Sequence, residues 1–306
     1  MSEDSAAMNH PSCCASCGIA EIDDIKLTDC DGCDLVKYCS DECQASHKSE
    51  HKEDCKKRAA EIREEILLKQ PEGSYMGDCP ICCLPISFDQ LDKPTESSMM
   101  MCCSKSICNG CATKNLLREV ELRLAPSCPF CREPTPSSEE ECNELLMKRV
   151  AMNDPGAVCQ KGWRQFQKGE CSSAFGYFTK AAELGDANAH YGLASMYCEG
   201  KGVEEDREKA IHHFEEAAIG GHPIARYNLG LFESKNSNME RAVKHWIIAA
   251  ALGYDAAIKA LMGVFKSGLM EKDVLAAALR AHKAAVDAMK SPQREKADEV
   301  IKLLRR

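Results

Sequence analysis

No stretch of this chain is apolar enough to cross a membrane, and its opening residues, MSEDSAAMNHPS, lack the hydrophobic core of a secretory leader. These absences argue against a membrane role and point to an intracellular protein, cytoplasmic or nuclear. An excess of positive charge is missing too. The formal net charge is -9 with histidine neutral, so nucleic-acid binding by bulk charge is disfavoured. The local run Lys48, Lys52, Lys56, Lys57 and Arg58 reads as a solvated face. A third scarcity is positional: of 21 cysteines in 306 residues, only Cys142, Cys159, Cys171 and Cys198 follow residue 132. Where thiols stay reduced, clustered CxxC pairs read as zinc sites rather than disulfides. The chain therefore divides into a metal half and a helical half.

Four pairs open the metal half: Cys14 and Cys17, Cys30 and Cys33, Cys39 and Cys43, His51 and Cys55. Tetrahedral zinc takes four N/S ligands, so eight suit two ions. A segment of about 40 residues buries too little apolar surface to fold alone, and the metal supplies its folding free energy. Only His51, not His47, has the HxxxC spacing that faces one ion from a helical turn, and Cys13 stands one residue away from Cys14. The whole pattern resembles the MYND zinc finger. That resemblance implies that Cys14, Cys17, Cys39 and Cys43 hold one zinc and Cys30, Cys33, His51 and Cys55 the other. It also implies a protein-binding module that grips short proline-containing peptides. Gln44 matches a peptide-contact position, but Lys48 stands where peptide-binding members carry tryptophan.

The second cluster runs Cys79 and Cys82, then Cys102 and Cys103, Cys108 and Cys111, Cys128 and Cys131. Its long first gap, FDQLDKPTESSMMM, and the helical stretch ATKNLLREVELRL after Cys111 resemble RING architecture. Lys105 stands where a RING histidine is expected, and an ammonium has no lone pair for zinc. The segment "CCSKSIC" is similar to the CxCGxxIC of eight-cysteine, Not4-type RINGs, with one residue fewer between the paired cysteines. This implies that Cys79, Cys82, Cys108 and Cys111 hold a third zinc and Cys102, Cys103, Cys128 and Cys131 a fourth. Adjacent cysteines point apart in an extended chain, so chelation there requires a bent backbone. Cys83 is a spare. The resemblance implies a scaffold holding a ubiquitin-charged E2, with Ile81 and Pro129 at apolar E2-contact positions and Arg132 where active members place an arginine that bonds both E2 and ubiquitin.

The helical half repeats. "GDANAHYGLASMY" at 185–197 recurs as "GHPIARYNLGLFE" at 221–233 and more weakly as "GYDAAIKALMGVF" at 253–265. Ala157, Ala189, Ala225 and Ala257 lie 32, 36 and 32 residues apart, and the aromatic anchors Phe178, Phe214 and Trp246 follow at 36 and 32. Each unit reads as two helices, which cannot bury their faces singly and so stack into a solenoid. Gly200, Gly202, Gly220 and Gly221 are expected to supply positive φ at the turns. His212, His213 and His245 read as helix-surface or packing residues. Nothing in this half resembles a nucleophile, base and orienter set, so no catalytic residue is assigned. The pattern resembles Sel1-like repeats, relatives of TPR, about three and a half of them, which implies a protein-binding surface.

The expected fold class is multidomain: two small zinc-stabilised cross-brace fingers (α+β) followed by an all-α Sel1/TPR-like solenoid. The expected order is a disordered 1–13, a first finger over 14–55, a helical linker over 56–78 that packs one finger toward the other, and a second finger over 79–132. A connecting helix over 133–152, repeats over 153–290 and a terminal helix over 291–306 that caps the last repeat complete it. The combination is similar to uncharacterised multidomain proteins of single-celled algae. It implies four zinc ions and protein partners, with two functional expectations: an E3 ubiquitin ligase or ligase adaptor whose solenoid binds the substrate, or a non-enzymatic scaffold whose fingers only bind proteins.

Overall fold

The computed structural model describes residues 13–19, 21, 26–71, 73, 75–86 and 97–304. Of the expected disordered start, residues 1–12 lie outside the described residues, as does most of the long gap before Cys102. The chain forms two compact units, Met1–Lys69 and Gln70–Arg306.

The first unit is a two-stranded ladder and one long helix. Strands β1 (Thr28–Asp29) and β2 (Lys37–Tyr38) pair antiparallel, and Cys14 bridges to Lys37 beside them. Ser40 starts helix α1 (Asp41–Leu68) by accepting from the Cys43 amide, with Asp41 and Glu42 in the positive first turn. The helix then runs unbroken through Cys43, His51 and Cys55 into the expected linker, so no helix boundary marks the end of the finger at residue 55. It stops just before Pro71, a residue type that disfavours helix in its predecessor. Buried Cys14, Leu27 and Tyr38 form the small core. Arg58 on α1 holds the loop opposite with two bonds to the Asp34 carboxylate, at 2.7 and 2.9 Å.

The second unit begins with another ladder, β3 (Ser97–Met99) antiparallel to β4 (Ser106–Cys108), followed by helix α2 (Asn109–Glu121). Cys79, Ile86, Ile107, Cys108 and Cys111 are its core. Helix α3 (Glu139–Ala151), capped by Ser138 and acidic in its first turn as the sequence suggests, leads directly into the solenoid. Its Arg149 donates to Ser104 of the finger at 3.3 Å.

Eight helices follow in hairpin pairs: α4 (Pro155–Gln167) with α5 (Cys171–Glu183), α6 (Ala187–Glu199) with α7 (Arg207–Ile219), α8 (Pro223–Lys235) with α9 (Met239–Ala251), and α10 (Asp255–Lys266) with α11 (Lys272–Ala288). The repeated alanines explain the register. Ala157, Ala189, Ala225 and Ala257 are each the third residue of the leading helix and fully buried. Three of their amides are taken by the side chain of the N-cap: Asp154, Asp186 and His222, at 3.0, 2.7 and 3.2 Å. Phe178, Phe214 and Trp246 fill the spaces the small residues leave. The Trp246 indole also donates to the Tyr227 carbonyl at 3.2 Å.

Two expectations need correction. Gly200, Gly202 and Gly221 have the expected positive φ, but Gly220 sits at φ -68. A glycine is required there for space, since a Cβ would lie 2.6 Å from that of Ala187. The terminal helix α12 (Pro292–Leu304) does not cap the last repeat; it packs on α2 of the second finger. The finger makes room for it at Gly110, where a Cβ would stand 2.9 Å from Arg294 Cγ.

Candidate metal centres

Three CxxC turns of this chain share one backbone form. In each, the residue after the second cysteine bonds its amide back to the first cysteine's carbonyl: Gly18 to Cys14, Cys83 to Cys79 and Arg132 to Cys128, at 2.9, 2.7 and 3.0 Å. That residue must be left-handed, and φ is 76, 54 and 63 in turn. The first cysteine's amide then bonds the carbonyl five residues on, at Ile19, Leu84 and Glu133. This folds both thiols toward one point.

The segment around Lys105 is a fourth copy of this turn. Ser104 bonds back to Met100 at 2.7 Å with φ 53, and Met100 bonds on to Lys105 at 2.9 Å. Met100 therefore occupies the register of a first cysteine and Cys103 that of the second. The bend that adjacent cysteines require is present, and Cys102 supplies the extra sulfur. The Lys105 side chain is exposed.

All sixteen expected ligand side chains gather in four sets, with the ligand atoms of each set within 4.8 Å of one another. They are Cys14, Cys17, Cys39 and Cys43; Cys30, Cys33, His51 and Cys55; Cys79, Cys82, Cys108 and Cys111; and Cys102, Cys103, Cys128 and Cys131. A zinc tetrahedron with bonds near 2.3 Å has S···S edges of about 3.8 Å. The sulfurs of Cys17 and Cys39 are 3.6 Å apart, Cys30 and Cys55 3.8 Å, Cys82 and Cys108 3.7 Å, and Cys103 and Cys128 3.9 Å. His51 Nε2 stands 3.1 Å from Cys33 Sγ. His47 turns elsewhere, its Nδ1 3.1 Å from the Tyr38 hydroxyl. Cys13 and Cys83 stay outside the sets and exposed.

Electrostatics favour a cation at each set. The backbone amide of Cys17 and its neighbours hold the Cys14 thiol down to about 6, while the adjoining thiols of Cys17 and Cys43 push Cys39 up to about 12. Burial opposes ionisation of Cys79, but amides including that of Cys108 outweigh it and bring it to about 6. Burial and then Cys131 drive Cys102 strongly upward. Three or four thiols this close cannot all ionise alone; a divalent ion removes that conflict. The donor sets are those of structural zinc, and the four clusters fit four zinc ions.

Around the second finger, buried Glu119 on α2 accepts from both the amide and the hydroxyl of Ser127, at 3.0 Å each, and so fixes the helix to the Cys128 turn. Ile81 is 46% exposed, Pro129 is half-buried and Arg132 is exposed. Leu116, Leu117 and Val120 of α2 are exposed as well. In the first finger Gln44 donates to Asp31 at 2.9 Å and Lys48 is exposed. Of the expected packing histidines, His213 stacks on Tyr197 and lies 3.1 Å from His190, nitrogen to nitrogen, while His245 is fully buried. No motif announces the roles of Met100 and Glu119; only Met100 leaves a local signal, its place two residues before the doubled cysteine.

A family model described as a MYND finger matches residues 14–55, and a Sel1 repeat model matches 164–186, 187–222 and 223–254. The chain carries a MYND finger and Sel1 repeats. An uncharacterised protein of Neisseria meningitidis serogroup B is 38% identical over 63 residues, which is 18% of this chain and 14% of that protein's length. A crystal structure of a Sel1 repeat protein from Oxalobacter formigenes matches at 29% identity and TM-score 0.35, over 39% of this chain and 95% of that one. That of c5321, a protective antigen of uropathogenic Escherichia coli with an SLR fold, matches at 20% identity and TM-score 0.39, over 54% of this chain and 37% of that one. A zinc finger together with Sel1 repeats supports a protein-interaction role. No helix among the described residues is long and apolar enough to cross a membrane.

Proposed function

We propose that the second finger works as a RING-type module, so that the chain is an E3 ubiquitin ligase or ligase adaptor whose Sel1 solenoid binds the substrate. The observation that carries this reading is Ile81, an apolar side chain left 46% exposed on the first turn of the finger. Uncovered apolar side chains on a rigid scaffold fit a protein partner. The exposed Leu116, Leu117 and Val120 of α2 extend the supply of apolar surface on that finger. Arg132, exposed and directly after Cys131, supplies a guanidinium able to bond two partners at once. On this reading the chain's part is to hold a charged E2 in its reactive conformation, and the acid, base and nucleophile come from its partners.

The test is autoubiquitination by the zinc-loaded full chain over a panel of E2 enzymes. Transfer with at least one E2, lost in Ile81→Ala at unchanged zinc content, supports the reading. No transfer with any E2 overturns it and leaves the fingers as a non-enzymatic protein-binding scaffold.

A further inference from the structure

The zinc centre of Cys79, Cys82, Cys108 and Cys111 is gripped from the far end of the chain. Arg294 on α12 points Nη2 at Cys82 Sγ, 3.5 Å away, and donates from it to the Leu84 carbonyl at 3.1 Å; Nη1 donates to the carbonyls of Pro85 and Met289 at 2.7 Å each. The neighbouring Gln293 donates from Nε2 to Cys111 Sγ at 3.4 Å. Helix α12 reaches this position because Gly110, inside the Cys108–Cys111 pair, has no side chain. A Cβ there would stand 2.9 Å from Arg294 Cγ and 3.1 Å from its Cα and N. The Cys102, Cys103, Cys128 and Cys131 centre differs. Among the described residues no guanidinium or amide side chain donates to its sulfurs, and Cys131 is exposed.

Zinc held by four thiolates carries net negative charge, and that charge resides on the sulfurs as nucleophilic lone pairs. A donor aimed at a bound sulfur withdraws density from the lone pair and fixes the ligand's direction. We propose that Arg294 and Gln293 are positioning residues for this zinc, and that they lower the reactivity of Cys82 and Cys111 toward electrophiles, leaving the Cys102 centre as the more reactive of the two. The proposal stands whether or not the finger transfers ubiquitin, because it concerns sulfur chemistry alone.

N-ethylmaleimide is a direct probe. A thiolate sulfur adds across its double bond, a proton from water completes the adjacent carbon, and the resulting thioether is a poor zinc ligand. Timed alkylation of the full zinc-loaded chain, read cysteine by cysteine by mass spectrometry alongside zinc release, should label Cys131 and its partners before Cys82 and Cys111. Arg294→Ala should speed Cys82 by roughly tenfold, the usual scale for losing such a partner, and release its zinc in step. Arg294→Lys, which keeps the charge but not the fork, should fall between. Gln293→Ala should speed Cys111 without moving Cys131. An unchanged Cys82 in Arg294→Ala together with an unchanged Cys111 in Gln293→Ala would overturn the proposal, as would an equal rise at all eight ligand cysteines of the finger. If Arg294→Ala does not fold, Gln293→Ala decides by itself, since it removes one bond and leaves the Arg294 contacts in place.

Discussion

The core of the second finger is Cys79, Cys108 and Cys111 with Ile86 and Ile107, whereas the solenoid buries Ala157 and Ala189 in one cluster with Phe178 and Ala257 in another with Trp246. Three of the five central side chains in the finger belong to a set that could hold a metal ion; among the described residues of the repeats none does. With zinc in these sets the cohesion of the finger would rest on Zn–S bonds, while that of the repeats rests on apolar burial between helices.

The largest expected effect breaks the halves apart. Structural zinc contributes on the order of 10 kcal/mol of folding free energy to small fingers, so a strong chelator should unfold the MYND finger outright, with loss of helix from α1. Helices α4 to α10 should keep their amide protection in hydrogen exchange. Metal analysis of the untreated chain should approach four zinc, matching the four clusters. Collapse of solenoid protection at the same chelator concentration would show that the halves share one source of stability.

A sharper cut runs inside the second finger. If the turn at Met100–Lys105 is a knuckle with its first cysteine displaced to position 102, Cys102→Ser should lose one zinc of the four, since a structural site wants a closed tetrahedron. Met100→Cys should restore that zinc in the Cys102→Ser background, because the backbone register there matches Cys79 and Cys128. Lys105→Ala should keep all the metal. Full zinc in Cys102→Ser alone would dismiss the eight-cysteine centre.

What could be read ahead of the structure was whatever repeats or chelates at short range. The ligand order from Cys14 to Cys55 is local, and so is the alanine rhythm, because a third-position alanine recurs at the start of each leading helix. Gly220 was misread because a glycine signals both positive φ and lack of volume, and only the position of Ala187 distinguishes them. The α12 contact joins Arg294 to Cys82 across more than two hundred residues with no period to announce it. Tail helices resemble solenoid caps in composition, so nothing in SPQREKADEVIKLLRR separates docking on a repeat from docking on a finger.

Acid should act on the solenoid through buried histidines. Burial first, then the positive charges of Arg226 and Arg241, push His245 down to about 3; burial does the same to His222, whose Nδ1 caps α8 by accepting from Ala225. Both are neutral when folded and titrate near 6.5 when unfolded. Their contribution is therefore complete above pH 6.5 and is lost as pH falls from there toward 3, by about 3 kcal/mol per histidine at pH 4 as an upper scale. Thermal melts followed by the fluorescence of Trp163 and Trp246 should show Tm falling below pH 6.5, and His245→Leu should flatten part of that fall. A pH-independent Tm between 7 and 4.5 would remove the histidines from this account.

The smallest expected effect separates stability from function within the knuckles. Gly18 fills the left-handed position of its turn at no steric cost, but Cys83 and Arg132 hold the same position with a Cβ, at φ 54 and 63. A left-handed residue with a side chain costs roughly 1 kcal/mol relative to glycine, so Cys83→Gly and Arg132→Gly should each stabilise the second finger by about that amount. Cys83 is exposed and outside every ligand set, so its replacement should leave ubiquitin transfer alone. On the ligase reading Arg132→Gly should gain the same stability and lose transfer, since backbone strain tends to be kept where a side chain serves a function. Equal stability gains with equal, undiminished transfer would mean that Arg132 has no part in the reaction, and the ligase reading would rest on the apolar residues alone.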